Sequence, residues 1–160
     1  MSAVLESPLL SPELRQVLEA AEQQAGAEGL AFAGSLPPQQ AWALVQAGAA
    51  TLVDVRSPEE YKFVGHVPGS VLVPWASGTS LTRNPRFTRE LETKLGGKHS
   101  LVLLLCRSGK RSALAAEAAA KAGFQRVFNV QEGFEGELNE ADQRGHCDGW
   151  RVRGLPWSQD

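Results

Sequence analysis

Short apolar runs alternate along this chain with stretches of helical periodicity. One unbroken run, residues 101–105, is Leu-Val-Leu-Leu-Leu and leads straight into Cys106. Five apolar positions without alternation predict a strand buried on both faces. Arg107, Ser108, Gly109, Lys110, Arg111 and Ser112 follow, and then an Ala-rich helix running to about Ala122 and ending at Gly123. The pattern therefore delivers a thiol from a buried strand to a short loop at a helix N-terminus.

The remaining elements fit the same rhythm. Ser11-Pro12-Glu13 predicts a helix start, with Ser11 as N-cap and Leu14, Val17, Leu18 and Ala21 on one face up to a stop at Gly26. This segment reads as an N-terminal helical arm over residues 1–30, ahead of a domain over 31–160. It either packs back on the domain or pairs with a second copy. Residues 30–34 predict a short edge strand, and Pro37-Pro38 opens a helix carrying Trp42 and Val45 and closed by Gly48. Residues 51–55 predict a strand ending at Arg56, with a helix capped by Ser57 directly after it. Residues 65–69 form a turn-rich connection and 70–73 another strand. Residues 79–85 read as a polar loop, 86–95 as a helix and 126–130 as a strand, with a helical start near Glu132. Strands alternating with helices predict an α/β domain with a mainly parallel sheet, whose ligands sit at the carboxyl ends of strands.

Composition narrows the function classes. The net charge of −2 leaves no electrostatic footprint for nucleic acid or an anionic membrane. No apolar run is long enough to span a bilayer. The first residues lack the basic and apolar regions of a secretory signal, and two cysteines, Cys106 and Cys147, make no disulfide framework. The expected compartment is the cytoplasm. No metal site is expected, because His66, His99, His146 and the two cysteines show no paired ligand spacing. The oligomeric state is open.

Against that near-neutral background the basic loop stands out. Backbone N–H groups at a helix N-terminus, the helix dipole, Arg107, Lys110 and Arg111 together suit an anion and favour a cysteine thiolate. Arg111 is the candidate inward-facing anion ligand, with Arg107 and Lys110 at the rim. Ser112 is placed to cap the helix while its N–H completes the cradle.

Asp54-Val55-Arg56 with Glu59-Glu60-Tyr61, then residues 65–70 (Gly-His-Val-Pro-Gly-Ser), then residues 106–112 (Cys-Arg-Ser-Gly-Lys-Arg-Ser) resemble the rhodanese, or sulfurtransferase, homology domain in order and spacing. The resemblance covers roughly residues 35 to 157. It implies a three-layer α/β fold with a central, mainly parallel five-stranded sheet. It also implies transfer of a sulfane sulfur from a small anionic donor such as thiosulfate, through a Cys106 persulfide, to cyanide or a thiol. That thiol can belong to a thioredoxin-like or other protein, and no cofactor is called for. Asp54, Arg56 and Glu60 are then a supporting ion-pair network rather than catalytic groups, and His66 is structural. Trp75, Trp150 and Trp157 are candidates for an apolar pocket wall, with core packing as the alternative.

Two other readings remain. One is a sulfur-carrier or regulatory module that docks a partner protein with little small-molecule turnover. The other is a small Cys-based phosphatase or arsenate reductase, disfavoured because only four residues separate Cys106 from Arg111, whereas the Cys-x5-Arg phosphatases use five. The sequence departs from the family at an apparent insertion, residues 135–148, between Val130-Gln131-Glu132-Gly133-Phe134 and Gly149-Trp150. It carries Cys147, read as an incidental cysteine in preference to a second sulfur-accepting thiol. Following a strand's carboxyl end, the insertion is expected to reach the rim of the Cys106 pocket.

Overall fold

A computed structural model describes residues 10–77 and 80–159. The elements in order are α1 (Pro12–Glu28), β1 (Gly34–Leu36), α2 (Pro38–Gln46), β2 (Thr51–Asp54) and a π-helical turn (Glu60–Val64). Then come β3 (Val71–Leu72), β4 (Ala76–Ser77), β5 (Thr82–Arg83), α3 (Phe87–Leu95), β6 (Val102–Leu105), α4 (Lys110–Lys121) and β7 (Val127–Val130). Five strands form one sheet in the order β1-β7-β6-β2-β3, and every pairing is parallel. β4 and β5 make a separate antiparallel pair.

Strand periodicity divides the core into two layers. Leu103 and Leu105 of β6 pack with Leu52, Phe128 and Val130 against Leu18 of α1 and Ala41 and Leu44 of α2. Val102 and Leu104 face the other way, joining Val53, Val127 and the α3 and α4 residues Phe87, Leu91, Ala115 and Ala119. Cys106 continues this second alternation and lies on the α3/α4 face. The parallel sheet is the one the strand–helix rhythm predicts, and the three layers and five strands are those the resemblance implies.

Several boundaries differ from expectation, each for a local reason. α1 runs past Gly26 to Glu28 and closes on Gly29, whose φ of 71° is left-handed. There the Leu30 N–H reaches the Ala25 carbonyl at 2.9 Å, and burial of Ala25 continues the apolar face. The helix packs back on the domain through Leu18, Ala21 and Ala25. β1 begins at Gly34 rather than Leu30. At that position a Cβ would strike the Ala21 carbonyl, so only glycine lets the strand pass so close under α1. The helix after Ser57 is a short turn, closed when the Gly65 N–H bonds the Glu60 carbonyl five residues back, at 3.2 Å. The stretch read as a polar loop contains β5. No helix starts at Glu132, because Glu132 and Gly133 both adopt left-handed φ, 71° and 69°.

Candidate functional site

β6 ends in Cys106, and Gly109 turns the chain into α4 with a φ of 100° that disfavours any side chain. The thiol is 1% exposed. Its Sγ accepts from the Gly109 N–H at 3.1 Å and lies 3.3 Å from the Ser112 hydroxyl. A helix leaves its first N–H groups without intrahelical acceptors, and in α4 these belong to Lys110, Arg111 and Ser112. The sulfur thus lies at the N-terminal end of the α4 dipole, with the Gly109 N–H on it.

The loop is held from behind by the segment after β7. The Phe134 N–H bonds the Cys106 carbonyl at 2.7 Å, and the Glu135 and Gly136 N–H groups share the Arg107 carbonyl at 3.0 Å each. A trans peptide sets its C=O and N–H on opposite sides, so pinning these carbonyls to the 134–136 segment points the Arg107 and Ser108 N–H groups away from that segment. Gly133 permits this approach: a Cβ there would collide with the Arg107 and Ser108 backbone.

Arg111, the expected inward-facing anion ligand, has a carboxylate partner. Its guanidinium bonds both Glu60 oxygens, at 2.7 and 2.8 Å, because a planar fork matches a carboxylate. Glu60 is thus doubly used. It also forms a capping box, its carboxylate accepting from the Ser57 N–H at 3.2 Å while its own N–H bonds Ser57 Oγ at 3.2 Å. Burial pushes the Glu60 carboxyl up, but the hydrogen bonds and charge of Arg111, with smaller help from Ser57 and Arg56, hold it at about 2. The Arg111 guanidinium is moved up by the same contact with Glu60, against burial, and senses Cys106 more weakly.

Because the folded carboxyl sits below its ordinary value of 4.5, the pair stabilises the fold above that pH. The contribution fades as pH falls toward 2. Glu60→Gln is expected to lower stability by about 2 kcal/mol at pH 7, after discounting for solvent at the rim. Denaturant titrations of both proteins should converge near the acid end; a gap independent of pH would contradict this account.

Asp54 and Arg56 lie at the end of β2, both fully buried, 2.7 Å apart. Arg56 also donates to the Gly65 carbonyl at 2.6 Å and stacks over Phe134 at 4.3 Å. His66 sits at the far side of that turn. Its Nδ1–H donates to the Tyr61 carbonyl at 3.0 Å, its ring stacks on Tyr61 at 4.1 Å, and its backbone pairs with Ser158.

A cleft of about 560 Å³ opens over the loop, bordered by Arg107, Arg111, Glu60, Val64, Leu81 and Arg144. Arg107 is half-buried here, and Lys110 is exposed at the helix start. Trp75 and Trp150 are not among the residues that border this cleft, and both take the core-packing alternative. Trp75 packs edge-on against Phe87, and Trp150 is fully buried against Trp42 with its Nε1–H on the Pro156 carbonyl at 2.8 Å. Interior positions use all of an indole's apolar area, which explains the preference. Trp157 is 41% exposed and packs on Phe134.

The 135–148 segment is folded in its own right. The Glu137 N–H bonds Asp148 Oδ1 at 2.8 Å, the Gly145 N–H bonds the Glu135 carbonyl at 2.9 Å, and Arg144 donates to the Gly136 carbonyl at 2.7 Å. It brings Glu135 and Arg144 to the cleft, while Cys147 is free and exposed. Sequence reasoning missed Arg144, and it missed Asn129, which contacts Ser112. A polar residue inside the otherwise apolar Val-Phe-Asn-Val strand was the available signal for the latter.

A parallel sheet that presents a cysteine at the carboxyl end of its central strand, just before the helix that follows, defines the class. Residues 37–140 match the rhodanese-like domain, and the chain belongs to that family. The crystal structure of Rv0390 from M. tuberculosis resembles it with a TM-score of 0.71 and 42% identity, over 81% of this chain and 99% of that one. An uncharacterized protein of Rickettsia prowazekii is 37% identical over 111 residues, 68% of this chain and 82% of its own length. Thiosulfate sulfurtransferase GlpE of Tolumonas auensis is 31% identical over 100 residues, 61% of this chain and 81% of its own length. Among the described residues, no helix is long and apolar enough to cross a membrane.

Proposed function

We propose that the protein is a sulfurtransferase working through a persulfide on Cys106. The observation that carries this reading is the tight site: Cys106 is 1% exposed and its Sγ already holds the Gly109 N–H, directly before the N-terminus of α4. Only the narrow end of a donor reaches such a sulfur. The Cys106 thiolate attacks the outer sulfur of a donor such as thiosulfate, forming one S–S bond. The donor's S–S bond breaks, and its electron pair leaves with sulfite. The persulfide's terminal sulfur carries the negative charge and is met by the Lys110, Arg111 and Ser112 N–H groups. A thiolate or cyanide then takes that sulfur, and Cys106 leaves as thiolate, which completes a ping-pong cycle.

The cleft above supplies Arg107 and Arg144 for an anionic donor, while Arg111 keeps the loop in register through Glu60. A protein thiol, as on a thioredoxin-like partner, is an acceptor compatible with the same chemistry. Thiosulfate with cyanide should give thiocyanate with parallel lines in double-reciprocal plots, and para-nitrophenyl phosphate should not be turned over. Phosphate release without thiocyanate would replace this reading with the phosphatase one.

A further inference from the structure

Asn129 lies in β7, where all four residues are buried, and its side chain closes a ring of hydrogen bonds through Gly109. Cys106 Sγ accepts from the Gly109 N–H at 3.1 Å. The Gly109 carbonyl accepts from Asn129 Nδ2 at 3.3 Å. Asn129 Oδ1 is 2.5 Å from Ser112 Oγ, and that oxygen is 3.3 Å from Sγ.

Donor arithmetic fixes the protons. The Gly109 carbonyl only accepts, so the amide must present its NH2 there and its Oδ1 to Ser112. Oδ1 also only accepts, so the single Ser112 hydroxyl proton lies on the line to Asn129. Ser112 therefore meets the sulfur with a lone pair. That lone pair accepts the S–H of a thiol and opposes a thiolate.

We propose that Asn129 is a positioning residue that holds the Ser112 hydroxyl proton away from Cys106 until the thiolate forms. Ionisation sends the thiol proton to solvent, and the Ser112 O–H then rotates from Oδ1 to Sγ, giving up one hydrogen bond for another. When Cys106 leaves as thiolate the same hydroxyl meets it, and reprotonation returns the hydroxyl to Asn129. The charged groups around the sulfur are Arg111 on α4 with Glu60 facing it, the Asp54–Arg56 pair at the end of β2, Arg107 and Lys110 in the loop, and Glu132 beyond β7, held by Arg153. None of them takes part in the ring.

The benefit to catalysis rests on the sulfur-transfer reading, but the proton arrangement does not. Its test is the pH profile of Cys106 alkylation by iodoacetamide, which needs no turnover. Asn129→Ala and the near-isosteric Asn129→Leu are both expected to shift the profile down by about half to one pH unit, because the freed hydroxyl then serves the thiolate. The Gly109 carbonyl keeps its bond from the Ala113 N–H at 3.3 Å in either variant. In a Ser112→Ala background, adding Asn129→Leu should change nothing further. An Asn129 profile at or above the wild type overturns the proposal. So does a downward Asn129 shift that persists without Ser112.

Discussion

Cys106→Ala is expected to lose sulfur transfer altogether, a fall of at least about 10⁴-fold in kcat/KM that leaves only background. The size of the effect comes from chemistry rather than folding. No other described group stands where Sγ stands, at the end of β6 with the Gly109 N–H on it. Structural cost should be small, about 1 kcal/mol, since one buried sulfur atom is lost from a site packed on one side by backbone. Near-native circular dichroism together with no thiocyanate is the expected pair of results. Activity retained above a few per cent would place the chemistry elsewhere, and Cys147 would be the first residue to replace next.

The second large effect concerns Asp54 and Arg56. Both side chains have zero exposure, and the pair is joined by hydrogen bonds of 2.7 to 3.2 Å. Arg56→Leu leaves a carboxylate in the interior without its partner and removes the bond to the Gly65 carbonyl. Breaking such a pair from one side costs about 3–5 kcal/mol, a large part of the roughly 5–15 kcal/mol that holds a domain together. For a chain of this size that lowers Tm on the order of 10 °C. The double variant Asp54→Leu/Arg56→Leu should cost clearly less than the two single changes added together, since no charge is then stranded. Additive losses in calorimetry would mean that the two residues act independently. Activity should weaken with the single variant too, because Arg56 stacks on Phe134 and the Phe134 N–H holds the Cys106 carbonyl.

Much of this arrangement was legible in the chain because its signals are local. The apolar run before Cys106 and the Ala-rich helix after it specify a strand–loop–helix unit, and the alternation of such units specifies a parallel sheet. Ser57 followed three residues later by Glu60 announces a capping box. What sequence does not carry is the partner chosen across space. Nothing near Arg111 announces that its guanidinium turns to Glu60, fifty-one positions away. The tryptophans show the same limit, since an indole in a motif-rich tail reads equally well as a pocket wall or as core. The expected helix at Glu132 failed for a backbone reason: left-handed φ at two successive residues re-aims the chain, so that its amides close on the cysteine loop. Asn129 was legible as an oddity, a buried amide in an apolar strand, but its partner Ser112 was visible only once β7 was set beside the N-terminus of α4.

The most direct measurement is the intact mass of the reduced protein after incubation with thiosulfate and removal of the excess donor. One added sulfur atom is expected per chain, mapping to the peptide that contains Cys106. It should be lost on adding cyanide or dithiothreitol and be absent from Cys106→Ala. An unchanged mass, or an adduct that survives in Cys106→Ala, would contradict a persulfide on Cys106 as the centre of this protein's chemistry.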